Sequence, residues 1–544
     1  MYPKSMTTEG ANSMQEATPQ TTAATDDDDA RLESLGYKPQ LNRVLGLFSN
    51  FSVAFTYLSP IVGVFSLFTI GLGIAGPGYI WTLWLPVGGM LLVALVFGEL
   101  ASHYPISGAL YQYSRYNVGR RYGWFVGWFY GIALLVTVAS VDTGVVVYFS
   151  ALMHNWFNWN FNPASHVTIL IVVLVLLTIQ STLNITGAKV MGRVAQFGVY
   201  VEILGTLGIA IVLAIHGFHH NVSYLFTTQG AQNVKTNALG LNFGGSEFGA
   251  LMIAVLAPVY IFYGFESAGD ISEETKDAGR QVPRAMRHAL IWGGVASFII
   301  IAALLLSIPT KGGVAAAVTG GVPYILAQLP AWLQDVALLL LVFAFFSCGS
   351  SVQGAGSRLM FSYARDGALP AAKSIAKVHR RFKTPVNALL AGAVVSALFV
   401  LFEFATPTHN VQILWFTYPG NVNVLTSLIS FGTSGIYLSF LLTVIGAGIA
   451  RARGWVPEGK FTLGRWGWPV IIVAGLYLLV MFVDMVAPTG LSSPRGALFN
   501  LDWITLVVMV IVFIVGWILF MLSRGGRELD EHLRDDAEKP AALL

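Results

Sequence analysis

The chain has 544 residues, of which 55% are hydrophobic and only 11% charged. Soluble domains carry about 25% charged residues, so the composition excludes a water-soluble globular protein and places the chain in a bilayer. The single cysteine, Cys348, excludes an intramolecular disulfide framework and any multi-cysteine metal site, and it reads as a small buried apolar residue. The net charge of +3 says little, but the placement of the charges says much more.

Residues 1–43 form a polar tail with a Thr-rich run and then Asp26-Asp27-Asp28-Asp29. The tail has no basic segment followed by an apolar core, so it is not expected to be a cleaved signal. It is expected to be largely disordered. Twelve apolar segments of spanning length follow. They lie near 46–72, 79–101, 123–152, 166–186, 194–216, 248–271, 286–308, 333–362, 385–403, 423–450, 468–487 and 502–523. The membrane domain thus covers 44–525, and a second polar tail covers 526–544.

Lys and Arg are split between the two ends of these spans. The N-terminal tail, the even-numbered connections and the C-terminal tail hold 28 of the 31, against Lys235, Lys311 and Arg495 on the other side. Short cytoplasmic loops retain positive charge, so both termini are expected in the cytoplasm, with the protein in the cell membrane (plasma or inner).

Two spans are interrupted. The sixth reads VYIFYGFESAGDISEETK over Val259–Lys276. Gly264 breaks it, Glu266 places a carboxylate just past the break, and Gly269 and Asp270 follow. Backbone and charge of this kind at membrane depth must face protein or a water-filled cavity. The first span contains Leu58-Ser59-Pro60-Ile61-Val62-Gly63. Proline removes a helical donor there, and glycine supplies backbone angles for an unwound link. Paired broken spans five apart point to two inverted halves around a midplane site, with the last two spans as an addition.

Three motifs carry a family resemblance. They are GELASHYPISGALYQY (98–113), GFESAGDISEETKDAGRQVPRA (264–285) and SRLMFSYARDGALP (357–370) with KTPVNA (383–388). On these the chain resembles the amino acid–polyamine–organocation superfamily over roughly 30–525. With ARLESLGYK in the tail and the Ser59-Pro60 turn, it looks most like the amino acid/choline transporter branch. The resemblance implies an all-α polytopic membrane protein with a leucine-transporter-like fold of five plus five inverted helices and two extra. It also implies secondary active transport of an amine-bearing substrate, and no enzymatic activity.

The residues support the same site chemistry. A helix that stops leaves carbonyls at one end and amides at the other. Carbonyls near Leu58 and Ser59, and near Phe262 and Tyr263, can hold an ammonium group. Amides near Gly63 and Val64 can hold a carboxylate. Phe262, Tyr263 and Phe265 can cover the ligand or stack on its cation. Glu266 can pair with a substrate ammonium, carry a proton or cap a backbone amide. Asp270, one turn on, is expected at the inner gate, and Glu273 and Glu274 are expected to pair with basic loops.

Glu202 sits mid-span in VYVEILGTLG with no basic residue in the core of that span. Relatives without sodium coupling often have a lysine there, and the reversed charge suits a proton carrier. Asp142 in the third span can attract a cationic substrate, with a vestibule or helix-pairing role as the equal alternative. Ser350 and Ser351 lie where relatives that use sodium bind it. Protons are therefore the expected coupling ion, with sodium second. Ile61-Val62 replaces the small Gly-Ser/Ala pattern usual at the first break, which narrows the site. The substrate can therefore be an amino acid, γ-aminobutyrate, a polyamine or choline, and a receptor of the same fold is the other reading. No GxxxxGK[ST] or HExxH motif points to an ATP-driven pump or a metal enzyme. No cofactor, metal or nucleic-acid partner is expected, and the protein is expected to be a monomer or homodimer in the lipid bilayer.

Overall fold

The computed structural model describes residues 19–228, 237–238, 241–242, 246–401, 411–413, 416–418, 424–487 and 504–522. In hydrocarbon every backbone N–H and C=O must be satisfied within its own segment, so long apolar runs become helices. In chain order the described helices, apolar runs and shorter polar ones together, are α1 (Pro19–Ser34), α2 (Leu47–Leu58), α3 (Pro60–Ala75), α4 (Trp84–His103), α5 (Ala109–Asn117), α6 (Arg120–Gly144), α7 (Val146–Phe157), α8 (His166–Ile185), α9 (Ala188–His216) and α10 (Glu247–Ala254). They continue as α11 (Leu256–Val259), α12 (Ser267–Asp270), α13 (Ala278–Leu306), α14 (Gly313–Leu326), α15 (Ala331–Arg365), α16 (Ala372–Ile375), α17 (Val386–Leu401), α18 (Val424–Ala452), α19 (Gly467–Val486) and α20 (Ile504–Leu522). Among the described residues the expected all-α architecture gains two short antiparallel strand pairs in connections, Asn237–Ala238 with Leu241–Asn242 and Val411–Ile413 with Phe416–Tyr418.

Among the described residues, nine helical stretches are long and apolar enough to cross a membrane, and four shorter apolar helices accompany them. Three of the four (Glu247–Val259, Val386–Leu401 and Thr505–Met521) fall where spans were expected. The fourth, Gly313–Leu326, occupies a stretch expected to be a connection, and it bends at Gly321. The stretches α2–α3 and α6–α7 are the most enclosed, and α8 and α19 the least. Ile171, Val175 and Ile179 of α8, four residues apart, are exposed along one lipid-facing stripe.

At the centre, α2 packs against α9, α13 and α15, and α6 packs against α15 and α18. Small residues let these helices approach closely. A Cβ on Gly198 of α9 would sit 2.8 Å from Thr56 Cγ2 and closer still to Ser347 Oγ. One on Gly63 of α3 would sit 2.6 Å from Ile261 Cγ1. The second contact brings the first interrupted span directly onto the sixth.

From its acidic run onward the tail packs on the rest of the protein. Leu32 and Asp28 are buried, and Arg43 donates to Asp29 Oδ1 (2.6 Å), Ser272 O (3.0 Å) and Thr275 O (3.1 Å). The Val44 and Leu45 amides donate to Glu274 O, and the Lys276 amide donates to Leu45 O. The irregular connection after α12 carries backbone groups that need partners, and the tail supplies them. Asp28 Oδ2 in turn accepts from the Ala278 amide (2.9 Å) at the start of α13, where a carboxylate is favoured by the helix dipole.

Candidate substrate site between two interrupted helices

The break in the first span is a single residue. Ser59 takes φ 41° and ψ 91°, α2 stops at Leu58, and α3 begins at once with Pro60. Proline suits a first helical position because its missing N–H is not needed there. The second half-helix therefore starts earlier than expected, and Gly63 and Val64 lie inside its first turns. The Gly63 amide bonds back to Ser59 O (3.0 Å), and the Val62 amide bonds to Ser59 Oγ (3.1 Å).

Glu202 of α9 reaches this break. Its Oε1 accepts from the Ser59 hydroxyl, and its Oε2 accepts from the Ile61 amide at 3.3 Å. A carboxylate thus sits on the N-terminal end of α3, where the helix dipole favours negative charge. Gly205 of α9 is the close approach that allows it, with Ile61 Cδ1 2.7 Å from where its Cβ would be.

The second break lies opposite. Residues 260–266 are non-helical between α11 and α12, and Gly264 takes φ 105°. A Cβ on Gly264 would be 2.8 Å from the Leu58 amide nitrogen and 2.9 Å from Tyr57 Cγ. The end of α2 and the second break are therefore in contact. Glu266 Oε2 accepts from the Gly264 amide (2.7 Å), so its carboxylate caps the turn. Its Oε1 lies 3.2 Å from the Tyr130 hydroxyl of α6, which also lies 2.8 Å from Asp270 Oδ2. Tyr130 has one hydrogen to donate between two carboxylates, and Asp270 Oδ1 has no partner among the described residues. The trio therefore has room for one added proton, carried on a carboxyl that donates to the Tyr130 oxygen.

All the residues expected to hold substrate are buried, including Leu58, Ile61, Val62, Val64, Phe262, Tyr263 and Phe265. The aromatics divide. Tyr263 stands edge-on to Tyr57 (6.0 Å) and Tyr260 (5.6 Å) at the junction of the breaks, whereas Phe265 packs away from it on Phe97 and Phe440. Tyr437 of α18 donates to Val259 O (3.3 Å), capping one carbonyl where α11 ends. Cys348 of α15 donates its thiol to Tyr57 O (3.3 Å), near the end of α2.

The remaining marked residues sit around this centre. Ser351 and Thr56 hydroxyls bond to each other at 2.7 Å, and Ser350 O accepts from Asn184 (3.0 Å). Asp142 Oδ1 accepts from Gln180 of α8 (2.8 Å), a helix-pairing contact. Tyr130, Tyr57 and Gln180 were not singled out from the sequence. Their roles come from partners on other helices, and nothing local distinguishes these tyrosines from the rest of the 20.

One end of the site, that bearing the basic connections, is closed by ion pairs. Glu274 takes Arg358 at 2.9 and 3.1 Å, and Glu273 takes Arg365 at 2.9 and 3.0 Å. Glu273 also accepts from the Ser107 amide (3.1 Å). Asp366 binds Arg115 at 2.7 Å, and Arg451 pairs with Glu99. Asn50 of α2 donates to Ala268 O (3.1 Å) and Thr275 Oγ1 (2.8 Å), joining the first half-helix to this closed end.

Two interrupted helices meeting inside a polytopic bundle, sealed at one end by ion pairs, define a membrane transport protein. Its fold is shared with solved structures of a manganese transporter from Eremococcus coleocola. The similarity to one of these reaches a TM-score of 0.52 at 13% identity, covering 88% of this chain and 93% of that one. The model of the amino acid permease family matches residues 45–515, and the chain belongs to that family. Amino-acid permease BAT1 of Arabidopsis thaliana is 26% identical, over 86% of this chain and 89% of its own length. Amino-acid permease 2 of Neurospora crassa is 28% identical over 96% and 92%. A putative amino acid/polyamine transporter of Macrophomina phaseolina is 24% identical over 76% and 88%.

Proposed function

We propose that the protein is a secondary active transporter carrying amino acids or related amines across the cell membrane by alternating access, in symport with protons or by exchange. The observation that carries the reading is the contact between the two breaks, where Gly264 abuts Leu58 and the carboxylates of Glu202 and Glu266 flank the junction. Carbonyls at the end of α2 and around Phe262, with the Tyr263 ring, form the ammonium end of the site, and Leu58 to Val64 forms the rest. In this reading twelve helices cross the bilayer as five plus five inverted repeats and two more. Both termini lie in the cytoplasm, and 1–43 and 526–544 are the tails outside the 44–525 transport domain.

Protons are the favoured coupling ion. The Glu266–Tyr130–Asp270 trio has room for one, and Glu202 supplies a second buried carboxylate. Sodium is second, because the Ser351 hydroxyl is already engaged by Thr56. Asp142 and Ser350 act as supports for this machinery, and Asp270 belongs to the gate. A polyamine, γ-aminobutyrate or choline substrate is the second reading. It is favoured by Ile61 and Val62, whose bulk and lack of a hydroxyl narrow the first break.

Proteoliposomes containing the purified protein should accumulate a radiolabelled substrate from a panel of amino acids, polyamines and choline when a proton gradient is imposed. Saturable binding with no flux for every compound would make the protein a receptor and reject the proposal.

A further inference from the structure

We propose that Glu202 is a resident carboxylate occupying the place of a substrate carboxylate, so that an amino acid can dock on α3 only when Glu202 carries a proton. The inference rests on the transporter reading above and names how that site selects its ligand. The first turn of α3 has no open amide. Pro60 has none to offer, Ile61 donates to Glu202, Val62 donates to Ser59 Oγ, and Gly63 donates to Ser59 O. A helix start is an anion site because its first amides lack partners within the helix, and here the chain itself fills it.

The weakest link is the one that must yield. The Ile61–Glu202 bond is the longest of the three, at 3.3 Å against 3.1 and 3.0 Å. Two carboxylates sharing one buried helix end would repel each other in a low-dielectric setting. Only a neutral Glu202 can leave without carrying a bare charge into the core. No Lys, Arg or His side chain is among its partners; the groups bonded to it are the Ser59 hydroxyl and the Ile61 amide. The titratable group facing it from α15, which packs on α9, is the Cys348 thiol.

A separate observation marks the vicinity as built for something more. Gly198, Glu202 and Thr206 recur every four residues and so share one face of α9. Thr206 Oγ1 is buried with no partner among the described residues. So is Ser347 Oγ, which lies against Gly198. These hydroxyls can accept the proton of a displaced Glu202. At the junction itself the Tyr57 hydroxyl is also buried and has no partner among the described residues, which suits a group arriving on the ligand. The exchange balances: a proton from water binds Glu202, the acid swings to a neighbouring hydroxyl, and the substrate carboxylate, still ionised, takes the Ile61 amide.

An amine with no carboxylate needs none of this. The test compares two pairs of probes, L-alanine with ethylamine and γ-aminobutyrate with butylamine, by calorimetric titration of the full-length protein. The range is about pH 5 to pH 8, where the probes' carboxylates and ammonium groups keep their charges. The amino acid that binds should lose about tenfold in affinity per pH unit on the alkaline limb, as one-proton linkage requires, while its amine partner shows no such loss. In Glu202→Gln the amino acid should bind at the acid-limb affinity at every pH, with a single cooperative melting transition as the check on folding. A flat amino-acid profile in the wild type, or a slope that survives in Glu202→Gln, overturns the inference. If no probe of either kind binds and no panel compound is taken up, the transporter reading itself fails.

Discussion

Replacing Glu274 by Gln should open the closed end of the site. Glu274 and Arg358 are 0% and 1% exposed and form a two-pronged ion pair between the connection after α12 and helix α15. Removing one partner of a buried pair costs about 3–5 kcal/mol, because the other charge is left uncompensated. Gln keeps the shape and one acceptor, which favours the lower end of that range. The second pair, Glu273 with Arg365, remains in place. If opening the site lets Arg358 meet water, the loss falls on the closed state alone. About 3 kcal/mol then raises the open fraction by roughly 10²-fold.

The chain carries its own reporter for this opening. Cys348 is the single cysteine, it is buried, and its thiol is bonded to Tyr57 O at the end of α2. Its rate of reaction with a water-soluble maleimide should rise by about the same factor as the open fraction, since modification proceeds through the open form. The variant Glu274→Gln,Arg358→Gln removes both charges and should recover much of the protection. An unchanged maleimide rate in Glu274→Gln, in a protein that remains folded, would show that this pair does not hold the site shut.

Other substitutions test other parts. Gly264→Ala forces a Cβ against the Leu58 amide at 2.8 Å and against a φ of 105°. It should cost about 1–3 kcal/mol of stability and abolish uptake, whereas Gly88→Ala, with nothing within 4 Å, should leave melting and uptake intact. Tyr130→Phe removes the hydroxyl shared by Glu266 and Asp270. Substrate counterflow should persist while proton-driven accumulation falls, and equal loss of both would refute the shared-proton arrangement. Burial pushes the Asp28 carboxyl above its ordinary 3.8, outweighing the Ala278 amide and Arg43. A group raised on docking contributes stability that is complete below 3.8 and is lost as pH rises through its docked value. Acidification should therefore tighten residues 27–45 on the protein, as hydrogen exchange corrected for its intrinsic pH dependence would show. Asp28→Asn should remove that dependence.

Much of the candidate site's geometry was legible because its signals are local. Pro60, Gly264 and the acids Glu202 and Glu266 each break a pattern within one span, and each lies where the two breaks meet or beside it. The position of the first break was less legible. Ser59 makes the turn alone, with its hydroxyl capping Val62, so α3 begins at Pro60 rather than near Gly63. Partnerships across the fold left no trace in the sequence. Glu202 finds Ser59 from 143 residues away, and Tyr130 finds Glu266 from 136. The docking of the tail from its acidic run onward was not legible for a related reason. Its polar composition resembles that of a disordered segment, but its partners are the backbone groups of the connection after α12, which composition does not reveal.

A substrate seated at the junction of the two breaks lies beside Tyr57, to which Cys348 is bonded, and should shield that thiol. A compound that the protein accumulates in proteoliposomes should slow maleimide modification of Cys348 in the Glu274→Gln variant, where the thiol is reachable. Half-protection should fall at the dissociation constant measured calorimetrically on the same variant. A transported compound that binds saturably and leaves the modification rate unchanged would place its site elsewhere and contradict the account.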